Sequence, residues 1–475
     1  MSYDAIIIGS GQSGAPLAVA FAKAGHRTAL VEREHIGGCC INEGCTPTKT
    51  MIASGRVAYL TRRAGDYGVL TSSEVMVDMA KVRQRKRDIV ASFRAGSEHR
   101  IQAAGVELIT GNARFIDRNT LKVTDGHGGE QMVQGDKIFV NVGERPAPPS
   151  VEGLEAVDPG RVLDSTSIQE LDAVPKHLVV VGGGYVGVEF AQLFRRLGAE
   201  VTIVQRGKQL MPREDADIAQ RLLEIFQQDG LTVHTESRPL RIVSAGDKGF
   251  ILTIHRRAGD RDIPGTHILF AAGRIPNTET LNLAAAGIQT DRKGYIETNA
   301  SLETSTPGIY AMGDVKGPPA FTHVSYDDFR ILRENLIDQS SALTRSTADR
   351  IVPYVVFTDP QLAHVGLHEH EAREQFPARQ IQTATMPMSY VARALETDEP
   401  RGTMKAVVDA PSGQILGFTC LGVDGGEVMS VVQTAMVGGT PYRKLQDAVF
   451  AHPVLAESLN NLWSFLQSDT RPQVD

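Results

Sequence analysis

Three of the chain's four cysteines fall within seven positions, in the stretch Gly37-Gly38-Cys39-Cys40-Ile41-Asn42-Glu43-Gly44-Cys45-Thr46-Pro47-Thr48-Lys49. Thiols cycle reversibly between dithiol and disulfide, so such a cluster in a cysteine-poor chain points to redox chemistry. Cys40 and Cys45 are separated by about one helical turn plus a residue, and a bend between them can bring the sulfurs within bonding range. Pro47 suits the first turn of a helix, which predicts a helix start near Cys45. A thiol there has its thiolate stabilised by the positive end of the helix dipole, and Lys49 adds a cation close by.

The elements that must position this stretch begin just before it. Asp4 to Ile8 is a short apolar run, followed by Gly9-Ser10-Gly11-Gln12-Ser13-Gly14, a helix-like segment closing on Gly25, and a second strand from Thr28 to Glu32. This is a β-turn-α-β unit with the dinucleotide fingerprint. Gly9 serves the tight turn, Gly11 the close approach of pyrophosphate and Gly14 the packing of helix on strand. The helix start offers N–H groups to the phosphates, and Glu32 stands where a carboxylate accepts from ribose hydroxyls. The pattern returns: Leu178 to Val181 leads into Gly182-Gly183-Gly184-Tyr185-Val186-Gly187, a helix through Leu197, and a strand from Val201 to Val204. Gly182, Gly184 and Gly187 repeat the three tasks. Two complete units imply two dinucleotides.

Between the units, Arg83 to Ala104 reads as a helix and Val106 to Lys122 as alternating strands. Two apolar strands end in related turns, at Gly143-Glu144-Arg145-Pro146 and Gly273-Arg274-Ile275-Pro276, as expected where the chain crosses between nucleotide domains. Gly308 to Asp314 is a strand ending in Gly-Asp, which places a carboxylate where it can bond a sugar-like chain. From about Ile351 the pattern changes to shorter strands, a helix near Val428 to Val437, and the closing Ala451-His452-Pro453-Val454-Leu455-Ala456-Glu457. The fold class is therefore α/β, with two Rossmann-like dinucleotide-binding domains and a C-terminal α+β domain. The expected divisions are 1–150, 151–275, 276–345 and 346–475, the first and third forming one domain.

Composition narrows the class further. A net charge of −7 argues against a nucleic-acid surface, and the basic run Lys81 to Arg87 reads as a solvated helix face. Four cysteines, clustered and not spread in pairs, do not make a secreted disulfide framework. No apolar run reaches the ~18 residues of a membrane span, and Met1-Ser2-Tyr3 leads straight into the first strand. The expectation is a cytoplasmic enzyme with no nucleic-acid or membrane partner.

Taken together and in this order, these motifs resemble the pyridine nucleotide-disulfide oxidoreductases, among them glutathione reductase, dihydrolipoamide dehydrogenase and mercuric reductase. The resemblance covers nearly the whole chain. Thr46-Pro47-Thr48-Lys49-Thr50 and Phe321-Thr322-His323-Val324-Ser325-Tyr326-Asp327-Asp328-Phe329-Arg330 look most like the mercuric-reductase-like branch. That branch includes a bacterial reductase of reactive-chlorine resistance linked to copper. The resemblance implies FAD in the first unit, a nicotinamide nucleotide in the second, and a C-terminal dimerisation domain that makes a homodimer. It implies that Cys45 faces the flavin, that Cys40 is the outer thiol meeting the substrate, and that His452, paired with Glu457, is an acid-base supplied by the other subunit. Lys49 and Glu189 would pair beside the flavin, Tyr185 would gate the nicotinamide pocket, and Asp314 would bind the FAD ribityl chain. Hydride would pass from the nicotinamide through FAD to a Cys40–Cys45 disulfide, and on to a small disulfide or a metal ion. No resident metal is expected.

At the end of the second unit's second strand, a carboxylate would hold the 2′-hydroxyl of NADH. Gln205 and Arg206 stand there, and Arg206 suits a 2′-phosphate, so the expectation is NADPH over NADH. Two positions depart from the family pattern. Cys39 stands where threonine is usual, with burial favoured over soft-metal binding as its reading, and Glu43 brings a charge into the redox loop. No cysteine follows Cys420 and the first fingerprint starts at Gly9, which argues against a detoxifying mercuric reductase, with its C-terminal cysteine pair and N-terminal metal-binding domain. Two alternatives stand beside the reductase. Dihydrolipoamide dehydrogenase would favour NAD and an acidic residue near position 205; a flavin-bearing redox sensor would use the same cysteines with little turnover.

Overall fold

The computed structural model describes residues 1–467 except 73, 339–343 and 349. The first sheet grows from β1 (Ser2–Ile8), buried along its second half as a central parallel strand must be. α1 (Gly14–Lys23) crosses to β2 (Thr28–Glu32), which pairs with β1 in parallel from Ala5↔Thr28 to Ile8↔Val31. The chain then leaves the sheet for α2 (Gly38–Asn42), α3 (Cys45–Arg62) and α4 (Met79–Ala103). It returns as β3 (Glu107–Thr110) and continues through β4 (Asn112–Phe115), β5 (Thr120–Thr124) and the long β6 (Glu130–Val140). β6 pairs antiparallel with β5 along its first half and parallel with β1 along its second. The resulting order is β3-β2-β1-β6-β5-β4.

β7 (Glu144–Pro146) carries the chain into the second domain through β8 (Val162–Leu163), β9 (His177–Val181), α5 (Tyr185–Leu197), β10 (Glu200–Val204), α6 (Ala216–Gln228) and β11 (Thr232–His234). An antiparallel trio, β12 (Ser237–Ser244), β13 (Phe250–Arg256) and β14 (Arg261–Gly265), precedes β15 (His267–Phe270). The second sheet is parallel throughout, in the order β11-β10-β9-β15-β8. β16 (Arg274–Pro276) then pairs antiparallel with β7, Ile275 opposite Arg145, so the two crossings are zipped into one ribbon. β17 (Ile309–Ala311) rejoins the first sheet beside β6, and α7 (Thr322–Arg333) follows.

The last domain is an antiparallel sheet with helices. Its strands and helices are β18 (Pro353–Val356), β19 (Gln361–Gly366), α8 (Glu369–Gln375), β20 (Ile381–Pro387), α9 (Ala392–Glu396), β21 (Thr403–Asp409), β22 (Gln414–Gly422), α10 (Gly425–Val437) and β23 (Leu466–Gln467). The order is β18-β19-β22-β21-β20-β23. Positions 468–475, assigned from sequence to this domain, lie outside the described residues. The architecture is the α/β arrangement expected, two Rossmann-like domains and an α+β domain. No described helix is long and apolar enough to cross a membrane.

The basic run is the one stretch that reads differently in three dimensions. Lys86 is buried and pairs with Glu170, which Arg87 also engages, while Arg83 donates to the Glu170 carbonyl at 2.7 Å and Arg85 to the Thr50 carbonyl at 2.7 Å. These cations fasten α4 to its neighbours, so a run whose side chains are mostly exposed is also anchored at Lys86.

The two glycine loops share one steric device. A Cβ on Gly14 would stand 2.1 Å from the Gly9 carbonyl oxygen, and one on Gly187 would stand 2.0 Å from that of Gly182. Gly184 is different, with φ −86° and nothing within 4 Å of its missing Cβ. Gly187→Ala is therefore expected to lose about 1–3 kcal/mol of stability through overpacking, read as a lowered denaturation midpoint, whereas Gly184→Ala keeps the wild-type midpoint. Equal midpoints for the two variants would contradict this packing.

Candidate redox site

α3 starts at Cys45, with Gly44 at its N-cap, so the expected helix start is in place. The loop before it is closed by the Cys39 carbonyl, which accepts from Glu43 N–H at 2.8 Å and Gly44 N–H at 2.7 Å. A Cβ on Gly44 would sit 3.1 Å from that carbonyl oxygen, so the bend is tight. It turns Cys40 back toward Cys45, near enough for each thiol to shift the ionisation of the other. Thr322, the first residue of α7, brings Oγ1 to 3.2 Å from Cys45 Sγ. Two helix N-termini thus converge on one sulfur.

This geometry divides the thiols electrostatically. The Cys45 thiol is pulled down to about 6, first by the bond from Cys40, with help from Thr322 and Lys49, and against the effect of burial. The Cys40 thiol is pushed up by the same bond and by burial. The two thiols are thus pushed in opposite senses, Cys45 toward the thiolate and Cys40 toward the thiol.

One turn into α3, Lys49 Nζ meets Glu189 Oε2 at 2.7 Å. The other oxygen of Glu189 accepts the Phe357 N–H at 2.8 Å, and Lys49 lies 4.9 Å from the Phe357 ring centroid. Tyr185 opens α5 one turn before Glu189, packed on Phe321 and Tyr354.

The nucleotide residues fall into two cradles. Gly9, with φ +97°, makes the first turn beneath Asn141. Asn141, which the sequence did not single out, turns its amide oxygen to Gly11 N–H (3.2 Å) and Gly14 N–H (3.0 Å) and donates to Ser13 Oγ at 3.0 Å. Glu32 Oε2 accepts from Ser10 N–H at 3.0 Å and Ser10 Oγ at 2.6 Å, and Oε1 from Glu34 N–H at 3.1 Å. Burial pushes the Asp314 carboxyl up to about 6, and it makes no hydrogen bond among the described residues. A half-buried carboxylate with no hydrogen bond, beside a glycine loop, fits a polyhydroxyl ligand such as the ribityl chain of FAD. Gly143 and Gly273 take φ of +66° and +136° at the two domain crossings. In the second cradle, Gln205 turns inward, its Oε1 accepting the Gly183 N–H at 3.0 Å and its Nε2 donating to the Gln209 carbonyl at 3.1 Å. Arg206 beside it is exposed.

His452 and Glu457 do pair, Nδ1 to Oε2 at 2.9 Å, but no hydrogen bond or ion pair joins them to the thiols within the chain, and the His452 side chain is 68% exposed. The Cys39 sulfur lies 3.8 Å from Arg274 Nη2, and burial pushes its thiol up to about 11. Glu43 reaches the interdomain segment, its carbonyl accepting from Gln169 Nε2 at 2.6 Å and its carboxylate from Thr166 Oγ1 at 3.4 Å. Away from the thiols, Glu214, His364 and His368 bring potential ligand atoms within 4.8 Å. Their arrangement does not suit an ion. The two imidazoles stack at 3.8 Å and 13°, so their lone pairs lie in separate near-parallel planes, and both His364 nitrogens already bond Thr419 and Gly366.

The proton asymmetry is open to direct titration. Alkylation of the reduced protein with iodoacetamide, followed residue by residue by mass spectrometry, is expected to show Cys45 reacting half-maximally near pH 6. Cys40 should stay protected until far higher pH, and Thr322→Val should raise the Cys45 midpoint. A Cys45 midpoint near that of a free thiol would contradict the geometry.

Comparison with known proteins bears on the whole chain. Residues 3–328 match the pyridine nucleotide-disulphide oxidoreductase family and residues 352–463 its dimerisation domain. The chain is 36% identical to the probable pyridine nucleotide-disulfide oxidoreductase RclA of Escherichia coli, over 98% of this chain and 99% of that protein. It is 34% identical to a mercuric reductase of Staphylococcus aureus, covering 96% and 81% of the two chains. Identity to a dihydrolipoyl dehydrogenase of Thermus scotoductus is 32%, covering 96% of each. A solved Cu(II) complex of the HOCl-induced flavoprotein disulfide reductase RclA from Escherichia coli superposes with a TM-score of 0.87, over 98% of this chain and 99% of that one. With two glycine cradles, a paired thiol motif and matches spanning nearly its full length, the chain belongs to the pyridine nucleotide-disulphide oxidoreductases, flavoprotein oxidoreductases that use FAD and NAD(P)H.

Proposed function

We propose that this protein is an NADPH-driven flavoprotein disulfide reductase that cycles Cys40 and Cys45 between disulfide and dithiol and passes the electron pair to a small disulfide or a metal ion. The observation that carries the reading is the placement of the paired cysteines, with Cys45 at the start of α3, Thr322 Oγ1 3.2 Å from its sulfur and the Lys49–Glu189 ion pair one turn further on. FAD, when bound, supplies hydride acceptance from the nicotinamide and electron delivery to the disulfide. The first cradle, from Gly9 to Gly14 with Glu32, Gly143 and Asp314, would hold it. Lys49, paired with Glu189, keeps a positive charge beside Cys45.

Toward a disulfide acceptor, the work of this chain's residues is proton transfer and exchange. Cys40 must first lose its proton, and His452 of the partner subunit, with Nδ1 donating to Glu457, has Nε2 free to take it. The Cys40 thiolate attacks one acceptor sulfur, forming a mixed disulfide, and the imidazolium protonates the departing thiolate. The Cys45 thiolate then attacks Cys40, which releases the second thiolate and restores the intramolecular disulfide. Two electrons leave the pair, and the acceptor departs as one thiol and one thiolate, the thiolate taking its proton from solvent. This arrangement requires a homodimer, consistent with the dimerisation-domain match. Copper in the RclA complex makes a metal ion a second acceptor class to test. A lipoamide-specific role is less favoured, because Gln205 supplies no carboxylate and spends its amide on the loop.

The test is anaerobic addition of NADPH, and separately NADH, to the oxidised holoenzyme, followed by alkylation. Two new thiols, Cys40 and Cys45, are expected with NADPH, and Cys45→Ser or Cys40→Ser should abolish turnover with glutathione disulfide, lipoamide or Cu(II), whichever is reduced. No new thiols would exclude the relay; new thiols without turnover on any acceptor would favour the redox sensor. Arg206→Ala is expected to raise KM for NADPH about 10-fold, as loss of a charge-assisted bond would, and to leave KM for NADH unchanged.

A further inference from the structure

Phe321 to Arg330, a stretch otherwise marked only by its resemblance to one family branch, supplies the N-cap and most of α7. Three of its polar residues recur at intervals of three, Thr322, Ser325 and Asp328, and residues three apart are neighbours on a helix surface. Each grips a different part of the site. Thr322 Oγ1 lies 3.2 Å from Cys45 Sγ. Ser325 Oγ lies 2.6 Å from the hydroxyl of Ser13, within the first glycine loop. Asp328 Oδ2 accepts the Gly313 N–H at 2.8 Å, one residue before Asp314.

The two cradle grips are enclosed and without slack. Ser13, Ser325 and Asp328 are all buried. Gly313 has φ +70°, and a Cβ there would stand 2.9 Å from both Ser325 Oγ and the Asn141 side-chain amide. The other Asp328 oxygen accepts from Arg350 Nη2 at 2.7 Å, and Lys316 Nζ lies 3.4 Å from Oδ2.

We propose that Ser325 and Asp328 are positioning residues: the polar face of α7 fixes the glycine loop and the Asp314 turn against each other as one FAD cradle and, through Thr322, holds Cys45 in register with it. The proposal rests on the reading of the first cradle as the FAD site. At 1.5 Å rise per residue, Thr322 and Asp328 stand about 9 Å apart along a single rod, so a shift at one grip is a shift at all three. A displaced helix would leave the Gly313 N–H and a buried serine hydroxyl unfilled, and such groups cost free energy when unpaired. The helix that seats the cofactor thereby also sets the hydroxyl beside the sulfur expected to face it.

The experiment compares Ser325→Ala, Asp328→Asn and Thr322→Val with the wild-type holoenzyme by two readouts. One is the FAD dissociation constant, from flavin fluorescence recovered on serial dilution. The other is the pH midpoint of Cys45 alkylation by iodoacetamide in the reduced protein, with FAD kept in excess. Cys40, Lys49 and Glu189, which act on Cys45 beside Thr322, are left in place. Ser325→Ala is expected to weaken FAD binding about 3- to 10-fold, the worth of one hydrogen bond, and to raise the Cys45 midpoint as Thr322 withdraws from the thiolate. Asp328→Asn should do both more strongly, because it also strands Arg350 and Lys316; Ser325→Ala carries the test alone if that variant does not fold. In the Thr322→Val background neither substitution should move Cys45 further, while the loss of FAD persists. Wild-type FAD affinity in Ser325→Ala, even with a lowered denaturation midpoint, would overturn the positioning role. An unmoved Cys45, or a Cys45 shift that survives in the Thr322→Val background, would overturn the link to the thiol. Failure of the underlying reading looks different: wild-type protein that takes up no FAD would remove the first cradle as its site.

Discussion

A single carboxylate joins the three parts of this molecule. Glu189, its side chain 8% exposed, takes Lys49 Nζ on one oxygen and the Phe357 N–H on the other. Lys49 belongs to the helix that starts at Cys45, Glu189 to the helix that starts at Tyr185, and Phe357 to the segment just after β18. Each partner of the ion pair sits four residues into its helix, one turn below the residue with a chemical task, and so on the same face as that residue. The pair therefore fixes the separation of the two helix starts. A buried carboxylate is tolerated only when paired and hydrogen-bonded, so neither helix can slide without stranding a charge. The redox loop and Tyr185 are held in register by the requirement to satisfy Glu189.

The crossings between the domains apply a second constraint. β7 and β16 pair with each other, and within that ribbon Arg274 Nε donates to Glu144 Oε1 at 2.5 Å while its Nη2 reaches the Cys39 sulfur. Glu144 also accepts from the Tyr295 hydroxyl at 3.0 Å. The third thiol thus contacts the crossing between the domains. Burial keeps it protonated despite the nearby guanidinium, which suits a packing role and not that of a thiolate nucleophile. Glu43, on the other side of the loop, is bound to the interdomain segment through Gln169 and Thr166. Both departures from the family's usual sequence therefore face the junction between the nucleotide domains and not the reacting sulfurs.

Much of the architecture was legible because its determinants are local. Gly9, Gly11 and Gly14 stand a few positions apart, the turn they make is dictated by their missing side chains, and Gly182 to Gly187 repeat it. The start of α3 followed from Pro47 and the cysteine spacing. The contacts that tune the site are long-range, and there the sequence was silent. Thr322 lies 277 positions from Cys45, Asn141 lies 128 from the Ser13 hydroxyl it bonds, and Tyr354 lies 140 from Glu214. No periodicity links such pairs; the sheet order brings them together, with β17 returning beside β6 and delivering α7 to the thiols. Thr322 had appeared only within a motif of the resemblance, and nothing in its own residue type distinguished it from a surface threonine. Lys86 misled for the same reason, since its partner Glu170 is 84 residues away.

The proton inventory of the thiol pair finally bears on why such a chain should associate with a copy of itself. Returning a disulfide acceptor as two thiols requires two protons, and attack by Cys40, whose thiol is pushed up by Cys45 and by burial, first requires that its own proton be lifted away. An acid-base group is needed beside Cys40 with its titration near neutrality, and histidine is the side chain that meets this. Within one chain, His452 is oriented by Glu457 but stands largely in solvent, without a bond to the thiols. A solvent-exposed imidazole with one nitrogen fixed and the other open is half of a site. The segment that bears it ends the domain matched to dimerisation. Association would therefore place the missing proton carrier as well as bury surface, and assembly and catalysis would depend on the same contact.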